Sequence, residues 1–168
     1  MSCLVEIRPA TPKDVIEIAR LARETWLDAY ADIIPPAQIE FMLAERYDSA
    51  RLLNDLADPE KWIDLAFCAD CLAGFAAYEI YAGEYKLDKL YVHPDWQRQG
   101  VGGALIRHGA LRARTLGYPA MILAVNKRNE KALAAYTKHG FFTREAKVTE
   151  IGHGFVMDDY ILEKPIPK

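Results

Sequence analysis

The stretch QRQGVGGAL, residues 97–105, constrains the fold of this chain more than any other part. Gly100, Gly102 and Gly103 fall within four positions just before an amphipathic run. Glycine in a helix is about 1 kcal/mol less favourable than alanine, so three here imply a backbone that something approaches closely. Upstream, YKLDKLYV (85–92) reads as a strand ended by Pro94. Downstream, ALIRHGALRARTL puts Leu105, Ile106, Ala110 and Ala113 on one helical face, with Gly117 as its stop. AMILAV (120–125) is too short and too apolar for anything but a buried strand. Strand, helical crossover and strand form a βαβ unit, which sets 85–92 and 120–125 parallel in one sheet.

The remaining segments build around that unit. CLVEIRPA alternates as a short strand, and Thr11, Pro12 and Asp14 read as the cap, first-turn proline and first-turn acid of a helix starting at about residue 12. Val15, Ile18, Ala19, Ala22 and Trp26 recur at helical spacing until the run from Ile33 to Pro36 breaks it. Two short helices are expected at 37–47 and 49–57. WIDLAFCA, a turn at Asp70 and Cys71, LAGFAAYEIY and, past Gly83, YKLDKLYV form an antiparallel meander. Asn129 caps a helix running to about His139, closed by Gly140, and FFTREAKV and FVMDDYILEK supply two last strands. With no repeat, low-complexity stretch or linker, residues 1–168 read as one α+β domain.

Charge and cysteine usage narrow the partners. A net charge of −3 and a pI near 5.8 argue against a nucleic-acid binder, and favour small molecules or individual proteins. No apolar run approaches the ~20 residues of a membrane span, and MSCLVEIRPAT has no leader pattern, so a cytoplasmic protein without membrane attachment is expected. Cys3, Cys68 and Cys71 are an odd number in a chain that needs no disulfide, which fits a reducing compartment. The CxxC of Cys68 and Cys71 has no second half-site, and His93, His108, His139 and His153 lack ligand spacing, so no metal is expected.

A loop entering a helix from a parallel strand presents unpaired amides at the positive end of the helix dipole, a site for phosphate. A dinucleotide GxGxxG from Gly100 would need glycine where Leu105 stands, and GxxxxGK[ST] has no match. Gln97, Gly100 and Gly102, followed by Gly103 and a helix, instead resemble the QxxGxG loop of the GNAT superfamily of N-acetyltransferases, which grips the pyrophosphate of acetyl-CoA. NEKALAAYTKHGF resembles that family's NxxAxxxYxxxGF helix through Asn129, Ala132, Tyr136, Gly140 and Phe141. Residues 60–164 follow the family in order, and 1–57 match its more variable N-terminal part.

The resemblance implies a mostly antiparallel sheet of six to seven strands, with a parallel, splayed fourth and fifth pair, flanked by four to five helices. It implies acetyl-CoA as donor, its pyrophosphate facing the amides of Arg98, Gln99, Gly100, Val101, Gly102 and Gly103. Gln97 either braces the loop or reaches a phosphate, and Asn129 contacts the cofactor or simply caps its helix. The pantetheine arm lies along Leu90, Tyr91 and Val92, where the amide of Tyr91 or Leu90 polarises the thioester carbonyl. Tyr136 takes the general-acid position, a phenol suited to protonate the leaving thiolate. Lys86 stands where relatives often carry glutamate; of Glu79, Glu84 and Asp88, Glu79 is the candidate base, with a water chain as the alternative.

For the acceptor, Trp26, Asp28, Tyr30, Asp32, Glu40 and Glu45 supply aromatics and carboxylates for a cation, or merely a charged face beside core aromatics. IGHGFVMDDYILEK loosely resembles the closing strand of bacterial polyamine acetyltransferases. The expected reaction is acetylation of a primary amine, a polyamine or other small amine ahead of a protein N-terminus or lysine. A non-catalytic acyl-CoA sensor is the rival, and a homodimer is common among such relatives.

Overall fold

Thr11 and Asp14 do open the first helical segment, but through a separate turn. In a computed structural model, which describes residues 3–168, Pro12–Asp14 form a single 3-10 turn before helix α1 (Val15–Tyr30). The Thr11 amide and hydroxyl donate to Asp14 at 2.7 and 3.0 Å, and Arg8 grips the same carboxylate with two bonds of 2.9 Å. Strand β1 (Val5–Pro9) precedes this turn, and α2 (Pro36–Tyr47) and α3 (Ser49–Ala57) follow α1. Then come β2 (Lys61–Cys68), β3 (Cys71–Tyr81), β4 (Glu84–Val92), α4 (Val101–Thr115), β5 (Ala120–Asn126), α5 (Glu130–Lys138), β6 (Phe142–Gly152) and β7 (Phe155–Pro165). Among the described residues no helix is long and apolar enough to cross a membrane. Met1 and Ser2, part of the N-terminal stretch read above, lie outside them.

The seven strands form one sheet in the order β1-β2-β3-β4-β5-β7-β6. Alternation along each strand sorts side chains to two faces. In β2, Ile63 and Leu65 join α1, α2 and α3 in one core with Ile18, Trp26 and Leu52, whereas Ala66 and Cys68 join α4 in the other with Leu105, Ile106 and Met121. Each such large apolar side chain, fully buried, contributes on the order of 1.5–3 kcal/mol. Asp64 is 1% exposed on the α4 face, where Arg112 reaches it at 2.8 Å from between the rings of Trp62 and Tyr78. That buried ion pair fixes α4, and with it the glycine turn at its start.

Of the irregularities that escape the sequence, two shape the middle of the sheet. Ala77 pairs with Lys89 but Tyr78 pairs with Leu87, so Asp88 is an extra residue in β4. Such a bulge reverses the alternation beyond it: Tyr85 and Leu87 face α4, and so do Leu90 and Val92, while Tyr91 packs into the α1 core. The parallel β4–β5 pairing is limited to Tyr85 with Met121 and Lys86 with Ile122. Beyond these two pairs the strands diverge, and β5 continues in register with β7 alone.

The cysteine expectation needs correction. Antiparallel pairing sets Val5 opposite Cys68 and brings the chain's start to the end of β2. Cys3 and Cys68 are joined as a disulfide, with Cα atoms 5.9 Å apart, while Cys71 is exposed and free. The CxxC spacing thus reflects a hairpin whose turn is Ala69 and Asp70, both at positive φ, and Cys71 belongs to β3 rather than to the turn.

Candidate active site

The glycine turn lies where β4 ends and α4 begins. Arg98 (φ 62°) and Gly100 (φ 87°) adopt left-handed backbone, with extended Gln97 before them and the helix from Val101 after. The first bond of the helical ladder runs from the Ala104 amide to the Gly100 carbonyl at 3.0 Å, so the amides of Val101, Gly102 and Gly103 precede it. The helix starts at Val101, earlier than the apolar run suggests, and Gly102 and Gly103 stand in its first turn.

The three glycines differ in what requires them. Gly100 needs its left-handed φ, and a Cβ there would meet nothing within 4 Å. At Gly102 a Cβ would meet only the Val92 side chain, at an ordinary 3.7 Å. At Gly103 it would press within 2.7 Å of the His139 ring. Gly103 is therefore explained by the approach of the α5 C-terminus, whereas nothing in the protein's packing excludes a side chain at Gly102. Bare amides over open space at a helix N-terminus suit a diphosphate. Gln97 braces this turn: its Nε2 donates to the Val92 carbonyl at 3.1 Å and its Oε1 accepts from Lys131 at 2.5 Å. Gln99 donates to the Asp95 carbonyl at 3.4 Å.

Leu90, Tyr91 and Val92 pair with Ala76, Phe75 and Gly74 of β3, and among the described residues their β5 side is unpaired. The opening lets the two cores meet. Tyr136 packs with the α4-side core, while Tyr91 and Tyr30 belong to the α1-side core. Burial pushes the Tyr136 phenol far above its ordinary value, and Tyr91 and then Tyr30 add to the shift. A phenol so placed stays protonated at neutral pH, the state a proton donor requires. Asn129 accepts from the Ala132 amide at 3.1 Å, capping α5 as its residue type favours.

Glu79 stands apart from this opening in its bonding. It lies opposite Lys61 and Lys86 in the sheet register, and both lysines approach it, at 3.8 and 3.6 Å. Glu84 is bound by Arg144 at 2.7 Å. Burial opposes the charge of Asp88, but Arg46, Lys89 and Lys86 outweigh it and hold the carboxyl well below the usual range. Of the acceptor candidates, Trp26 and Tyr30 are buried in the α1 core, Glu40 pairs with Arg23 at 2.8 Å, and Asp28, Asp32 and Glu45 are exposed. Sequence reading missed Arg128, whose guanidinium donates to the carbonyls of Ile33 at 2.7 Å and Asp32 at 3.2 Å and ties the α1–α2 loop to the end of β5.

Comparison with known proteins agrees with this geometry. A curated relative, spermidine N(1)-acetyltransferase of Thermoplasma acidophilum, is 27% identical over 158 residues, covering 92% of this chain and 96% of the relative. The [ribosomal protein bS18]-alanine N-acetyltransferase of Salmonella typhimurium is 34% identical over 83 residues, 49% of this chain and 56% of the relative. Among solved structures, PaiA N-acetyltransferase from Thermoplasma acidophilum, in complex with coenzyme A, superposes with a TM-score of 0.84 at 26% identity, covering 96% of this chain and 99% of that one. The model of the acetyltransferase (GNAT) family matches residues 16–141, a span running from α1 across the diverging strands and glycine turn to the end of α5. Sheet order, the parallel pair and that match agree, and the chain belongs to the GNAT family of acetyltransferases.

Proposed function

We propose that this acetyl-CoA-dependent N-acetyltransferase transfers the acetyl group directly to a primary amine of a small polycationic acceptor, of which spermidine is the model. The observation that carries the transfer reading is the opening between β4 and β5, with the glycine turn and Tyr136 on the α4 side of the sheet and Tyr91 and Tyr30 in the α1 core. The choice of acceptor is supported by the relative named for spermidine, which matches along nearly its whole length, whereas the relative named for a ribosomal protein matches over about half.

In this reading the amides of Val101, Gly102 and Gly103, with Arg98, Gln99 and Gly100 behind them, hold the diphosphate of the donor. Gln97 acts as the brace. Bound acetyl-CoA supplies an activated acyl carbon on a thiol leaving group. The free β4 edge at Leu90, Tyr91 and Val92 orients the arm, and the amide of Tyr91 or Leu90 donates to the carbonyl oxygen where negative charge develops. Tyr136 gives its phenol proton to the departing sulfur and regains one from the acylated nitrogen. An alkylammonium has a reference pKa near 10.4, so the acceptor sheds a proton before attack. Glu79, held between two lysines, is poorly placed for that role, and a water chain to solvent is the simpler route.

The test is an acetyl-CoA-dependent thiol-release screen over polyamines, amino acids, aminoglycosides and N-terminal peptides. Turnover with polyamines is expected. Turnover confined to peptides would move the assignment to protein N-termini, and none with any amine would refute it.

A further inference from the structure

On the α1 side of the sheet the cations of α2 and β4 gather on shared carboxylates. Arg46 binds Asp88 at 3.0 Å, and Lys89 binds the same group at 2.6 Å. Lys86 lies between Asp88, at 3.3 Å, and Glu79, while Lys127 binds Asp158 at 2.6 Å. Asp159 stands outside these ion pairs. Asp159 of β7 lies opposite Asn126, at the end of β5 that has already parted from β4. Two and four residues before it on the same strand face, Met157 packs against the α1 core and Phe155 against Phe41 of α2. Among the described residues Asp159 makes no ion pair, and its Oδ1 is buried without a hydrogen-bond partner.

A dehydrated, unpartnered carboxylate oxygen is unfavourable in the free protein, and a cation bound there would remove the penalty. Building on the amine-acetyltransferase reading, we propose that Asp159 is a specificity-determining residue that binds a second, non-reacting ammonium of a di- or polyamine acceptor. Burial raises the Asp159 carboxyl above the usual range, as does neighbouring Asp158, while Arg46, Lys86 and Lys127 oppose the rise. Burial raises the Tyr30 phenol of α1, and Asp159 adds to the rise, which links this carboxylate to the aromatic group beside Tyr136. The ammonium nearest the thioester reacts and the distal one rests on Asp159. The enzyme thereby distinguishes a diamine from a monoamine of equal length.

The experiment compares 1,4-diaminobutane with butylamine, each with acetyl-CoA, in the wild type and in Asp159→Asn. The readout is the ratio of kcat/KM on the two amines. Losing one charged hydrogen bond should lower that ratio by roughly 10- to 150-fold in Asp159→Asn, mostly through KM for the diamine. In the wild type the ratio should fall as pH drops and Asp159 takes up a proton, and in the variant it should be flat. Asp159→Asn should also melt no lower than the wild type, because a buried carboxylate oxygen without a hydrogen-bond partner has been removed. An unchanged ratio, or melting several degrees lower, overturns the assignment of Asp159. Absence of turnover with either amine in the wild type overturns the function reading on which it rests.

Discussion

Alanine at Gly102 and alanine at Gly103 should have opposite effects, although the positions are adjacent in one helical turn. A methyl at 102 meets only Val92, at 3.7 Å, so the free protein should gain helix propensity of up to about 1 kcal/mol. For a chain of this size that is roughly 2–4 °C in Tm. A methyl at 103 stands 2.7 Å from His139 and 3.2 Å from Arg107, and the resulting overpacking should destabilise by about 1–3 kcal/mol. Toward coenzyme A the order reverses. If the amides of this turn hold the diphosphate, the 102 methyl occupies the line of approach. Losing one charge-assisted bond is worth about 1.5–3 kcal/mol, roughly 10- to 150-fold in Kd. Calorimetric titration with coenzyme A, together with melting of the free protein, reads both quantities. Gly102→Ala should melt higher and bind more weakly, and Gly102→Glu, which adds a carboxylate, should bind hardly at all. Wild-type affinity in Gly102→Ala would refute the assignment of the turn.

Replacing Tyr136 by phenylalanine should lower kcat by about 10²–10⁴ while leaving coenzyme A affinity nearly unchanged; because burial pushes the phenol far up, no loss of activity from its ionisation should appear below pH 10 in the wild type. Breaking the buried pair with Asp64→Ala should destabilise by about 3–5 kcal/mol in denaturant unfolding, since Arg112 is left uncompensated. The Arg8 hydrogen bonds lower the Asp14 carboxyl against burial, aided by Thr11, so its folded pKa lies below the unfolded value of about 3.9. Its stabilisation is therefore present above that value and lost as pH falls below it, and the gap between wild type and Asp14→Asn, measured by denaturant midpoint, should narrow below about pH 4.

How much was legible from residues alone depended on the range of the interaction. Helical spacing in Val15 to Trp26, the alternation of the meander and the Asn129 cap are local, and the elements they imply are those observed, with ends shifted by a few residues. The glycine turn and the helix containing Tyr136 were likewise readable, because a positive φ, a cap or a motif is written in neighbouring positions. The bulge at Asp88 was not, since it exists only as a mismatch with β3, and without it Tyr91 would face the wrong core. The separate need for Gly103 appears only once His139 is packed beside it. Cys3 and Cys68 are 65 residues apart in sequence and became partners through strand pairing rather than spacing.

The closing strand shows the same division most sharply. The letters of FVMDDYILEK placed two acids in a closing strand, but nothing local separates Asp158 from Asp159. Strand alternation in the folded sheet gives Lys127 to Asp158 and leaves Asp159, among the described residues, without an ionic partner at the end of β5. The sequence by itself determined the element order, the glycine turn and the family. Tertiary structure decided which carboxylates are neutralised, because charge pairing and desolvation depend on distances between segments that the chain brings together only on folding.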